Sequence, residues 1–144
     1  MTITEKLSRL KGINIETLFD EVLKENEETI LDMNRSQMYD EGIMNIKNPS
    51  SQEHYSPATI KAKRKAPFSK TEFITLKWKG KFHSDLKLLI HKDDFVIVGD
   101  NLIWKMYLVD QDRFGGAVGL TAKSKSELRE IARDELIKKI RNVA

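Results

Sequence analysis

Leu86-Lys87-Leu88-Leu89-Ile90-His91-Lys92-Asp93-Asp94-Phe95-Val96-Ile97-Val98 is the stretch that decides the fold. Leu86, Leu88 and Ile90 recur at every second position, which sets them on one face of a strand. Asp93-Asp94 supplies turn chemistry, and Phe95 to Val98 reads as the returning strand, closed by Gly99-Asp100-Asn101. Upstream, Ile74, Leu76 and Trp78 alternate in the same way within Phe73 to Trp78. A lone hairpin is only marginally stable, so the three runs together predict a small antiparallel β-meander over 72–99.

Helical patterns flank this region. Asn14 is a good N-cap, and Ile15, Leu18, Phe19, Val22 and Leu23 follow it at helical spacing. Ile30 and Met33 continue the stripe, so one long helix is expected over 15–40, stopping before Gly42. Near the other end, Ser124 with Glu127 three residues on forms a capping-box pattern. It predicts a helix over 124–142 that buries Leu128, Ile131, Leu136 and Ile140. Asn45, Asn48, Pro49, Ser50, Ser51 and Pro57 mark 43–58 as a loop or arm. Thr59 to Lys65 can make a helical turn that Ala66-Pro67 ends. Leu102 to Leu108, with Trp104 and Tyr107, reads as a short helix, and Thr2 to Lys11 gives only a weak turn signal. The expected fold class is therefore α+β: a long N-terminal helix and a C-terminal helix packed on the meander, with a long loop or arm, in a single domain over 1–144.

With 144 residues, 40% of them apolar, the chain can bury one core. It has no cysteine, which excludes disulfides and thiolate metal sites and suits an intracellular or virion protein. Met1-Thr2-Ile3-Thr4-Glu5 lacks the features of a signal peptide, and no apolar run is long enough to span a bilayer. A soluble protein with no membrane association is expected. Its net charge of +3 conceals two opposed regions. Residues 16–41 hold nine acids against Lys24 and Arg35, a sum of −7, whereas Lys61 to Lys81 holds eight bases against Glu72, a sum of +7. Such a two-signed surface suits head-to-tail contact with further copies or with neighbouring proteins. The assembly-interface candidates are Lys61, Lys63, Arg64 and Lys65 on the basic side, and Glu21, Glu25 and Glu28 on the acidic side.

Reactive chemistry finds little support in the sequence. His54, His83 and His91 are scattered, without the spacing of a zinc site. Asp93 and Asp94 could clamp a divalent ion for a nuclease, but they stand where a hairpin needs turn residues. Gly115-Gly116-Ala117-Val118-Gly119 lacks the Lys-Ser/Thr ending of a phosphate loop and reads as a flexible loop or a close backbone crossing. No catalytic residue, cofactor or metal is expected. Nucleic-acid binding is the alternative for the basic segment: Lys61, Lys63, Arg64 and Lys65 would neutralise phosphates, while Phe68, Phe73 or Trp78 would stack on bases.

Several segments taken in order also carry a family likeness. Asn34-Arg35-Ser36-Gln37-Met38 leads to Gly42, then Tyr55-Ser56-Pro57-Ala58-Thr59 with Lys61, then Ile74-Thr75-Leu76, Gly80-Lys81-Phe82 and Val118-Gly119-Leu120-Thr121. The order resembles small virion proteins of tailed bacteriophages, the neck, connector and tail-completion class, in the crAss-like form of phages infecting Bacteroidetes. Where related sequences carry Thr-Gly before the aromatic, this chain has Trp78-Lys79-Gly80-Lys81-Phe82. The resemblance implies a structural role without a reaction: a homo-oligomeric ring at the head–tail junction or tail, touching portal, connector or tail components. It implies location in the virion after synthesis in the host cytoplasm. Gly80 and Phe82 would serve the fold, as a turn and a core anchor.

Overall fold

The computed structural model describes residues 2–50, 52–77, 80–91, 94–99 and 115–143. Within them the fold is α+β, with six helices and one antiparallel hairpin. The helices are α1 (Ile3–Lys11), α2 (Ile15–Glu25), α3 (Glu27–Tyr39), α4 (Pro57–Lys63), α5 (Lys81–Ser84) and α6 (Ala122–Val143). The strands are β1 (Leu86–His91) and β2 (Asp94–Gly99), paired in the register Leu86↔Gly99, Leu88↔Ile97 and Leu89↔Val96. Among the described residues, no helix is long and apolar enough to cross a membrane. The expected helix at Leu102 to Leu108, Trp78 and Asp93 lie outside the described residues.

The helix expected over 15–40 is two helices. Asn14 caps the first as anticipated, its side chain accepting from the Thr17 amide. The break falls at buried Asn26. Its Nδ2 donates to the Val22 carbonyl at 2.8 Å, the same oxygen that its own backbone N–H uses. It also donates to Glu135 of α6 at 2.6 Å. A side chain that shares a ladder acceptor loosens the helix at that turn. The C-terminal helix also begins earlier than its capping-box pattern suggests. Thr121, not Ser124, is the cap: its Oγ1 accepts from the Ser124 amide at 3.2 Å, leaving Ser124 inside the first turn of α6.

The third strand of the expected meander is absent among the described residues, because 72–77 is coil. Its alternation ends in three consecutive buried residues, Phe73, Ile74 and Thr75, followed by Leu76 at φ +56°. The backbone groups of this segment are satisfied one at a time. Ile74 N–H donates to the Glu53 carbonyl (2.8 Å), Thr75 N–H to Tyr55 Oη (3.0 Å), and Lys77 N–H to Thr75 Oγ1 (3.2 Å). Side chains and a neighbouring loop therefore stand in for a strand partner, and no ladder is needed.

Packing then makes the two-stranded sheet viable. Leu86, Leu88 and Ile97 turn inward onto α2 and α3, and α6 lies against α2. Leu23, Ile30, Leu31 and Met38 from the helices meet them in the core, with Leu120 and Leu128. Phe82 joins the same cluster behind Gly80, whose φ of +84° makes the turn into α5. The opposite sheet face shows the cross-strand pair Leu89 and Val96 to solvent.

Candidate assembly surface

The basic segment begins at α4. Ser56 caps it, accepting from the Thr59 amide, and Pro57 occupies the first turn, where its missing N–H costs nothing. Lys61, Arg64 and Lys65 emerge exposed at the end of this short helix. Lys63 does not, and here the expected surface cluster needs correction. Its residue is 0% exposed. Nζ donates to the Phe68 carbonyl and, at 2.9 Å, to the Lys77 carbonyl, with the Tyr55 ring 5.7 Å away. Burial pushes the ammonium below its ordinary pKa. Lys63 is a strut that ties α4 to the 68–77 coil. The signal for this was present in the sequence, since Lys63 follows apolar Ile60 by three residues and so shares its inward face.

Two further cations of the segment are held by aromatic rings. Lys70 Nζ lies over Tyr39 (5.2 Å) and Phe73 (4.6 Å), and Lys77 Nζ over Tyr39 (4.9 Å) and Phe68 (4.3 Å). Tyr39 and Phe68 meet edge to face at 6.3 Å. Each contact places positive charge on the electron-rich ring face that a stacking base would need. Phe68 and Phe73 are thus engaged within the fold, which leaves Lys61, Arg64, Lys65 and Lys81 as the exposed cations of the described segment.

The acidic candidates are exposed but engaged. Lys139 of α6 lies 3.5 Å from Glu21 and 2.8 Å from Glu25. Arg35 reaches Glu28 at 3.1 Å and Asp32 at 2.8 Å. Exposed pairs of this kind are worth under about 1 kcal/mol, so they give way easily to another partner. Structure and sequence agree that Glu21, Glu25 and Glu28 face solvent; the internal pairing was not visible in the linear charge count.

The remaining polar groups serve the fold. His83 is buried and donates from Nε2 to the Thr75 carbonyl at 2.8 Å, while Nδ1 has no protein partner. Burial, reinforced by the nearby charges of Lys77 and Arg35, holds its pKa down at about 4, so the ring is neutral at pH 7. Exposed His54 bonds the Glu72 carbonyl. Asp94, expected in the turn, is instead the first residue of β2, paired with His91, and its Oδ1 accepts from the Phe95 amide at 2.8 Å. No cluster of three or more His, Asp or Glu suited to a metal occurs among the described residues.

The segments that carry the family likeness bind one another. Asn34 donates to the Ala117 carbonyl (2.9 Å) and accepts from the Gly119 amide (3.0 Å). Gln37 donates to the Gly119 carbonyl (2.9 Å) and accepts from the Thr121 amide (3.1 Å). Arg35 Nε donates to the His83 carbonyl, and Tyr55 serves Thr75. Gly116 gives its carbonyl to the Ile46 amide, so the glycine loop is a close crossing of two backbones.

Sequence reasoning missed one surface. α1 is a complete helix, and none of its residues is buried. Ile3, Leu7 and Leu10 are 78%, 51% and 39% exposed. The overlooked signal was Thr2 with Glu5 three residues on, a full capping box in which Glu5 accepts from Thr2 N–H at 2.7 Å and Thr2 from Glu5 N–H at 3.1 Å. No family model, curated protein or solved structure matches the chain.

Proposed function

We propose that this chain is a non-enzymatic assembly protein: a structural virion component of a tailed phage, in a head–tail connector, neck or tail ring. The observation that supports assembly is α1, a capped helix that touches α6 yet buries none of its own residues, so that its apolar stripe stays largely exposed. An isolated helix of nine residues is marginal in water, and an exposed apolar stripe on a well-formed element is a usual mark of a protein contact. The virion setting comes from the sequence likeness alone. In this reading the exposed Lys61, Arg64 and Lys65 steer and orient the contact, and apolar anchors supply its affinity.

Native mass measurement of the purified chain, alone and mixed with portal, connector and tail proteins of a crAss-like phage, tests the reading. A ring or a stoichiometric complex is expected. A chain that stays monomeric in every mixture refutes it. The rival role, an accessory protein that binds nucleic acid, predicts instead an affinity for duplex DNA that falls steeply with salt. The occupied faces of Tyr39, Phe68 and Phe73 weigh against the stacking part of that role.

A further inference from the structure

The apolar stripe of α1 has the spacing of a helix–helix seam. Ile3, Leu7 and Leu10 stand four and then three residues apart, the d-a-d positions of a heptad. In that frame Lys6 occupies g, Lys11 occupies e, and Glu5 lies on the outer face, engaged in the N-terminal cap. Both sides of the seam are therefore flanked by a cation. None of Lys6, Arg9 and Lys11 is ion-paired among the described residues, whereas Arg35 and Lys139 elsewhere in the chain are. The helix is already built: the capping box closes its start, and Gly12 N–H bonds the Ser8 and Arg9 carbonyls at its end. A preformed element loses little conformational freedom on docking.

We propose that α1 docks against an acidic amphipathic helix of a neighbouring protein, whose apolar side chains meet Ile3, Leu7 and Leu10 and whose carboxylates meet Lys6 and Lys11. The proposal rests on the assembly reading above and names the chemistry of one partner. Pairing with α1 of a second copy is disfavoured in both orientations. A parallel pair sets Lys6 against Lys11, and an antiparallel pair sets Lys6 against Lys6, so like charges oppose at the seam. An anionic bilayer would accept the lysines. Yet three apolar side chains offer a small area, and membrane affinity grows with the apolar area inserted.

The test is an amide NMR titration of the full chain with a synthetic three-heptad peptide carrying Leu at a and d and Glu at e and g. Saturable shifts centred on residues 2–12 are expected, with binding at least ~10-fold weaker for the matching peptide with Lys at e and g. The double variant Lys6→Glu, Lys11→Glu should reverse that preference. Leu7→Ser with Leu10→Ser should abolish binding. Because α1 buries no residue, resonances away from α1 and the part of α6 it touches should stay in place in both variants, which separates loss of docking from loss of fold. Equal affinity for the two peptides, no shift in α1, or shifts centred elsewhere would overturn the proposal. So would tighter binding to phosphatidylglycerol-containing vesicles, or self-association through α1 without peptide. A chain that enters virion assemblies while α1 ignores the acidic peptide loses this inference alone. If α1 binds the peptide but the chain never assembles, the functional reading fails instead.

Discussion

Lowering the pH should loosen the fold through His83. Its imidazole is neutral and buried, with a pKa of about 4 against an ordinary 6.5. The unfolded chain therefore binds a proton at this residue in a range where the folded chain does not. Unfolding takes up the proton, so stability rises with pH across the interval and falls as pH drops from 6.5 towards 4. The full difference of roughly 2.5 pKa units corresponds to about 3 kcal/mol, of which ~2 kcal/mol should be lost between pH 7.5 and pH 5. Well below pH 4 this residue should contribute no further loss. Urea unfolding at a series of pH values measures the effect. His83→Gln isolates it, since glutamine can donate to the Thr75 carbonyl but does not titrate. The variant should show a pH dependence flatter by about 2 kcal/mol over that range. Parallel curves for the two proteins, or an NMR titration midpoint for His83 near 6.5, would refute the reasoning.

The basic cluster should split under charge reversal. Lys61→Glu, Arg64→Glu and Lys65→Glu should each leave stability within about 0.5 kcal/mol, because their side chains are exposed. Lys63→Glu should cost about 3–5 kcal/mol or more, since it sets an anion against two carbonyl oxygens in a buried site; thermal denaturation distinguishes the two classes. Gly42→Ala should destabilise by about 1–3 kcal/mol, because the backbone stands at φ +67° and an added Cβ would come within 2.5 Å of the Phe73 ring. Phe73→Leu should recover only part of that loss, as the backbone strain remains.

Much of the fold was legible because its signals are local. The Asn14 cap, the strands from Leu86 to Gly99 and the presence of the C-terminal helix each need only neighbouring residues to be read, although of the stripe expected on that helix only Leu128 is buried and Ile131, Leu136 and Ile140 are half-buried. What failed depends on partners distant in sequence. The break at Asn26 involves Glu135, and the coil at 72–77 draws its hydrogen bonds from Glu53, Tyr55, Lys63 and His83. Nothing in the alternation of Ile74 and Leu76 reveals that side chains replace the neighbouring strand. The candidate surface divides in the same way. Exposed Lys61 and Glu28 are evident from charge pattern, but the burial of Lys63 depends on the coil that wraps it. The α1 seam was readable from Thr2, Glu5 and the spacing of Ile3, Leu7 and Leu10, and it was obscured by the shortness of the pattern.

Asn34 and Gln37 reach residues more than eighty positions away, yet almost every bond they make there is to main chain. That choice separates two kinds of evolutionary freedom. The carbonyls and amides that the two carboxamides need are supplied whatever the side chains along 117–121, so these bonds alone leave the letters free, and it is burial of Ala117 and Leu120 and the capping by Thr121 that restrict them. The spacing of the stretch cannot change. One inserted or deleted residue would offset the Ala117, Gly119 and Thr121 groups from both amides at once and orphan several buried polar atoms together. Homologous chains should therefore vary in the letters of this segment before they vary in its length. Gly119 is restricted by its backbone, because at φ +132° an added Cβ would fall 2.8 Å from Ile46.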